Sequence, residues 1–281
     1  MSEPGESIEL PSLLLLSEAG REFCAARGII LRDIRTRSGE RAEGFAWSSF
    51  RAEAISRLVS HGFLSALEVS RPEMVSARPQ ILALVRAVVA SVLERRIRAE
   101  LRRGRRPGCA IASNERYASY SRRKGIAEHL AILSMEFVQA AEKCYLKHLA
   151  SRDPRARNAR DRIDALLAQA SFRERLITHA AQRGELLVFR VEIEAGAVRV
   201  GIRNRGLIDS GGAEEFDARN AESIYHARLA DECAFEGIGF GSTVSRDRGR
   251  GETRSVISLS FDRNEHEGHV VLLRRAAAEA I

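Results

Sequence analysis

The stretch FEGIGFGS, residues 235–242, places glycine at 237, 239 and 241. Glycine at alternate positions permits positive φ and lets another group come close to the backbone. The stretch reads either as a turn between a strand and a loop or as a cradle for a phosphate. What stands before and after it has to decide.

Before it, residues 186–194 and 197–204 alternate apolar and polar around Ala195-Gly196, a hairpin pattern. Residues 206–212 read as a loop and 218–233 as a helix, and residues 254–262 and 269–274 close the chain as two more strands. Further upstream, Ile126, Leu130, Leu133, Phe137 and Ala141 recur every three or four residues, which predicts a helix over 125–150 ended by Asp153-Pro154. A second amphipathic helix spans 157–182 and stops at Gly184. His148, on the apolar stripe of the first helix, reads as a core or boundary histidine.

The N-terminal part is read as mostly helical. Residues 1–11 carry Glu3, Glu6 and Glu9 and read as disordered; the apolar run that follows lacks the basic leader of a secretory signal. A helix is predicted over 12–28, a short strand over 29–34, a polar loop over 38–44 and a helix over 49–61 stopped by Gly62. Residues 80–104 read as one long helix, apolar in its first half and charged in its second, whose apolar side faces a core or a second copy in a homodimer. The organisation expected is 1–11 disordered, 12–104 an N-terminal regulatory or dimerisation domain, 105–114 a basic linker, and 115–281 the main domain.

Of 281 residues, 44% are hydrophobic and 30% charged, so a sizeable core can form, and no apolar run is long enough to span a bilayer. Cys24, Cys109, Cys144 and Cys233 are scattered without a C-x-x-C pair, which reads as reduced thiols in a cytoplasmic protein with no metal site. Aromatic content of 6% argues against a stacking platform for single strands. The net charge of +7 is concentrated: residues 95–124 hold eleven Arg or Lys against Glu100 and Glu115. That run has three readings: a solvated helix end, a nucleic-acid-binding patch centred on Arg102, Arg103, Arg105 and Arg106 with Tyr117 and Tyr120 beside it, or a dock for an acidic partner.

Three segments in order, MEFVQAAEK (135–143), VGIRNRG (200–206) and EGIGFG (236–241), give residues 115–275 a resemblance to the GHKL ATPase family. That is the fold of histidine-kinase ATP-binding domains, anti-sigma-factor kinases, gyrase B and Hsp90. The resemblance implies an α+β protein whose C-terminal part is a two-layer α/β sandwich with a mixed sheet. It also implies a role for each motif. Glu136 would orient or deprotonate the attacking group and Lys143 would meet phosphate. Asn204 and Gly206 would receive the adenine. Gly237, Gly239 and Gly241 would end a lid over the nucleotide and open a phosphate-facing helix, with Ser242 adding a hydroxyl. The family's metal-holding Asn is replaced by Ala140, which offers Mg²⁺ no oxygen, and its Asp by Asn204. The implied function is a cytoplasmic signalling regulator that binds ATP or ADP and a partner protein, as a protein kinase or a pseudokinase. The rival is a nucleic-acid-binding regulator led by the basic run.

Overall fold

The computed structural model describes residues 12–35, 41–45, 52–103, 113–154, 163–194, 196–205, 224–247 and 251–261. The elements in these residues are β1 (Ser12–Leu16), α1 (Glu18–Ala25), β2 (Arg32–Arg35), β3 (Arg41–Phe45), α2 (Ala52–His61), β4 (Leu64–Arg71), a 3₁₀ turn at Val75–Ala77, α3 (Arg78–Arg103) and α4 (Ser113–Arg152). They continue with α5 (Ile163–Leu167), α6 (Ala170–Gln182), β5 (Leu187–Ile193), β6 (Ala197–Arg205), α7 (Ile224–Phe235), β7 (Gly239–Asp247) and β8 (Glu252–Ser260).

All eight strands join one sheet in the order β2-β3-β1-β4-β5-β6-β8-β7. Every pairing among the described residues is antiparallel, which corrects the expected mixed sheet. The reason lies in the route of the chain. A parallel pair needs a crossover that sets the next strand directly beside the first. Here α7 follows β6, but β7 takes the outer position and its hairpin partner β8 slots in against β6.

The sheet is covered by helices on one face. In β5, Leu187, Phe189, Val191 and Ile193 are buried while Val188, Arg190 and Glu192 between them are half-buried. The same period of two places Thr253, Ser255, Ile257 and Leu259 of β8 on the helix side. α3 brings Ile81, Leu84, Val85, Val88 and Val89 to this core, and α4 brings Ile126, Leu130, Leu133 and Phe137. The apolar side of α3 is therefore used within the chain, not left for a second copy.

The N-terminal segment holds four strands beside its helices. Residues 12–16, read as helical, form β1, and helix α1 begins only after Ser17, whose hydroxyl accepts from Gly20 N as an N-cap. Part of the expected polar loop is β3, which pairs with both β1 and β2. β4, unread in the sequence, lies against β5 from Ala66↔Glu192 to Arg71↔Leu187, so one sheet runs through both halves of the chain. The expected helix 157–182 resolves into α5 and α6.

α4, about 60 Å long at 1.5 Å per residue, is the central support. Near its end, Tyr145 is fully buried and its hydroxyl donates to the Glu185 carbonyl at 2.6 Å, while Arg152 reaches the Glu185 carboxylate at 3.1 Å. Tyr145→Phe keeps the ring and removes this hydrogen bond to the carbonyl. The expected cost is about 1–3 kcal/mol, read as a lower urea midpoint with an unchanged slope.

Candidate functional site

The site is assembled along the seam between α4 and α7. At its far end, Arg122 Nε and Arg123 Nε donate to the two carboxylate oxygens of Glu236 at 2.8 and 2.9 Å. One step further on, His129 Nδ1 meets Glu232 Oε2 at 2.9 Å. Gly125 makes the approach possible, because a Cβ there would lie 2.7 Å from Glu232 Oε1. Arg122 and Arg123 of the basic run are thus engaged inside the fold.

At the other end of the seam stands His226, in the first turn of α7. Its ring meets Phe240 edge-on at 4.8 Å between centroids, and its Nε2 lies 3.4 Å from Ser242 Oγ. Burial pushes the imidazole below its ordinary pKa, while the nearby Glu136 carboxylate pulls it upward. Glu136 from α4 and Ser242 from β7 are thereby brought together by a histidine that the sequence did not single out. Phe240 and Ser242 share the helix-facing side of β7, two residues apart.

Asn204 forms a second polar point on the same buried face. It is 1% exposed and directly opposite Thr253, which is 0% exposed; Ser255 follows at 1%. Asn204 and Ser242 are not neighbours. The register runs Val200↔Ile257↔Ser242, so Asn204 lies four residues along and two strands across, about 16 Å away from strand spacings. Ala140 is half-buried one turn beyond Glu136, and Lys143 is exposed on the next turn. Gly206, Arg105 and Arg106 lie outside the described residues; Arg102 and Arg103 are the last two residues of α3. The expected loop 206–212, most of the expected lid and the strand expected at 269–274 lie outside them too.

The opening stretch follows α7 and runs directly into β7, where the resemblance implies a helix. Gly237, at φ +64°, caps the C-terminal end of α7, with its N–H donating to Ala234 O and that of Ile238 donating to Cys233 O. Gly239 and Gly241 sit in β7 opposite Ser260 and Ser258. A helix C-terminus carries the negative end of the dipole and repels phosphate. His226 stands in the first described turn of α7, toward its N-terminal end.

On the opposite face, which no helix of the described residues covers, a groove of about 200 Å³ is lined by Glu68, Arg190, Glu192, Arg199, Arg203 and Arg254. It is a lattice of ion pairs, within β5 at Arg190–Glu192, 2.9 Å, and across to β4 at Arg190–Glu68, 3.5 Å. Among the described residues, no group of three His, Cys, Asp or Glu is placed to hold a metal, and no helix is long and apolar enough to cross a membrane.

Fold and site define an α+β protein with one antiparallel sheet, a single covering layer of helices, and polar residues converging under two of those helices. The chain belongs to DUF8084, a family of unknown function whose model matches residues 3–104 and 111–209. Glu136 and Asn204 fall within the matched residues; His226, Ser242 and Thr253 fall beyond them. An uncharacterized protein of Treponema pallidum (strain Nichols) is 31% identical over 88 residues, covering 31% of this chain and 23% of that protein. The match thus spans less than a quarter of that relative's length. No solved structure matches the chain.

Proposed function

We propose that the chain is a cytoplasmic signalling regulator whose C-terminal half is a degenerate GHKL-type domain binding ATP or ADP under α4 and α7. The observation that carries this reading is convergence. Asn204 and Ser242, from the second motif and the edge of the third, lie on the helix-facing side of the sheet, and Glu136, from the first, stands on α4, which packs over it. Thr253 stands opposite Asn204, so an amide and a hydroxyl together can read the edge of a purine. The cluster of Glu136, His226 and Ser242 lies toward the N-terminal end of α7, the end that suits phosphate. The two polar points are about 16 Å apart, which suits the two ends of an elongated ligand. With Ala140 at the metal position, the reading places nucleotide binding and partner recognition ahead of transfer to a partner.

Calorimetric titration with ADP and with a non-hydrolysable ATP analogue, each with and without Mg²⁺, tests this. Micromolar binding is expected, weakened about tenfold or more by Asn204→Leu or Thr253→Val, a loss of about 1.4 kcal/mol or more. Absence of binding at millimolar nucleotide, or equal binding by both variants, would sink the nucleotide reading.

A further inference from the structure

We propose that Ser242 is a phosphoacceptor: a nucleophile activated by His226, with Glu136 beside the imidazole, that takes a phosphoryl group from the bound nucleotide. This rests on the nucleotide reading above and adds to it a covalent, self-modified state of the chain.

His226 of α7 and Ser242 of β7 meet at the rim of the sheet, where β7 is the edge strand among the described residues, and the charge of Glu136 on α4 acts on the imidazole. Their arrangement is that of an activated nucleophile. A hydroxyl lies within reach of an imidazole nitrogen, and a carboxylate close by stabilises the cation that forms. The Ser242 backbone is fixed in the ladder opposite Ile257, which directs its side chain to the helix face. Phe240 meets the imidazole edge-on and fixes its plane. The 3.4 Å separation of Nε2 and Oγ is long for a hydrogen bond, as is common before substrate tightens such a pair. Burial keeps the imidazole neutral, the form able to accept a proton.

In the transfer, Ser242 Oγ attacks the γ-phosphorus and an O–P bond forms. The bond from that phosphorus to the β–γ bridging oxygen breaks, and ADP leaves with the electron pair. The hydroxyl proton passes to His226 Nε2, and the Glu136 carboxylate faces the resulting imidazolium. No other co-reactant is needed. Ser242 and His226 are therefore catalytic residues, and Glu136 acts through His226 as a positioning residue.

The test treats the full chain in parallel with ATP and with a fluorophosphonate, and locates the adduct by peptide mass spectrometry. The fluorophosphonate loses fluoride to a serine nucleophile and needs no nucleotide pocket. The expected result is phosphate and fluorophosphonate adduct on Ser242, both absent in Ser242→Ala. Both rates should fall on the order of 10²-fold in His226→Gln and less in Glu136→Gln. Each variant is checked for unchanged thermal unfolding; Ser242→Ala removes one oxygen from a half-buried side chain and leaves the ladder intact. No fluorophosphonate adduct, or one formed equally fast in His226→Gln, overturns the proposal. An adduct without phosphate from ATP also overturns it. ADP binding by calorimetry then separates a failed transfer, where ADP binds, from a failed nucleotide reading, where it does not.

Discussion

Phe189→Ala is expected to remove about 3–5 kcal/mol of stability and to do so for both halves of the chain at once. Phe189 is 1% exposed in β5, between Val69 of β4 and Ile202 of β6. It therefore stands at the junction where a strand from the N-terminal half meets the strands that carry Asn204 and Thr253. Truncation loses the transfer energy of the ring and leaves a cavity under the helix layer, which close packing closes only in part. The sheet is continuous through β4 and β5, so the loss is shared. Hydrogen exchange in β1 and in β6 followed through a urea series should give coincident transitions that shift together. A β1 transition that stays in place while that of β6 shifts would show that β4–β5 pairing does not couple the halves.

The long apolar half of α3, the stripe of α4 and the Ala195-Gly196 hairpin were legible because each repeats its period long enough to be unambiguous. The strands of the N-terminal half were not. Leu13–Leu16 is a short apolar run without a period, and such a run fits a helix or a buried strand equally well. β4 breaks its alternation at Ala66-Leu67, both buried, so its pattern never separates into two faces. β3 is short and carries Arg41, Glu43 and Gly44 among its five residues, and its buried Glu43 is held by Arg21, a partner far off in sequence.

In the site, Glu136, Asn204 and Ser242 could be marked from their motifs, but nothing local marks His226. It acquires a role only because α7 packs antiparallel to α4 and carries it to Glu136. Thr253 likewise matters through its register with Asn204. Gly239 and Gly241 could not be placed from the sequence, because a glycine-rich strand and a phosphate loop share a composition. What separates the two is where the neighbouring helix begins or ends.

The position of that helix is itself open to test. Glu236→Leu is expected to cost about 2–3 kcal/mol, toward the lower end for a broken buried ion pair because Arg122 is about a third exposed. The Glu236 side chain is 6% exposed and pairs with two guanidiniums at once. Without it, Arg122 and Arg123, side by side on α4, lose the carboxylate they share and repel each other. Hydrogen exchange should quicken first in Ile224–Phe235, ahead of α3, and the gap should narrow in high salt. Adding Arg122→Met and Arg123→Met to Glu236→Leu should recover most of the loss, since an apolar substitute for a whole buried pair is often close to neutral. If the triple variant stays as unstable as the single one, the carboxylate acts by shape and not by charge. If it recovers, α7 can be released from α4 by one residue and held again by two others. Fluorophosphonate labelling of Ser242 should then fall in the single variant and return in the triple, because His226 reaches Ser242 only while α7 is held down.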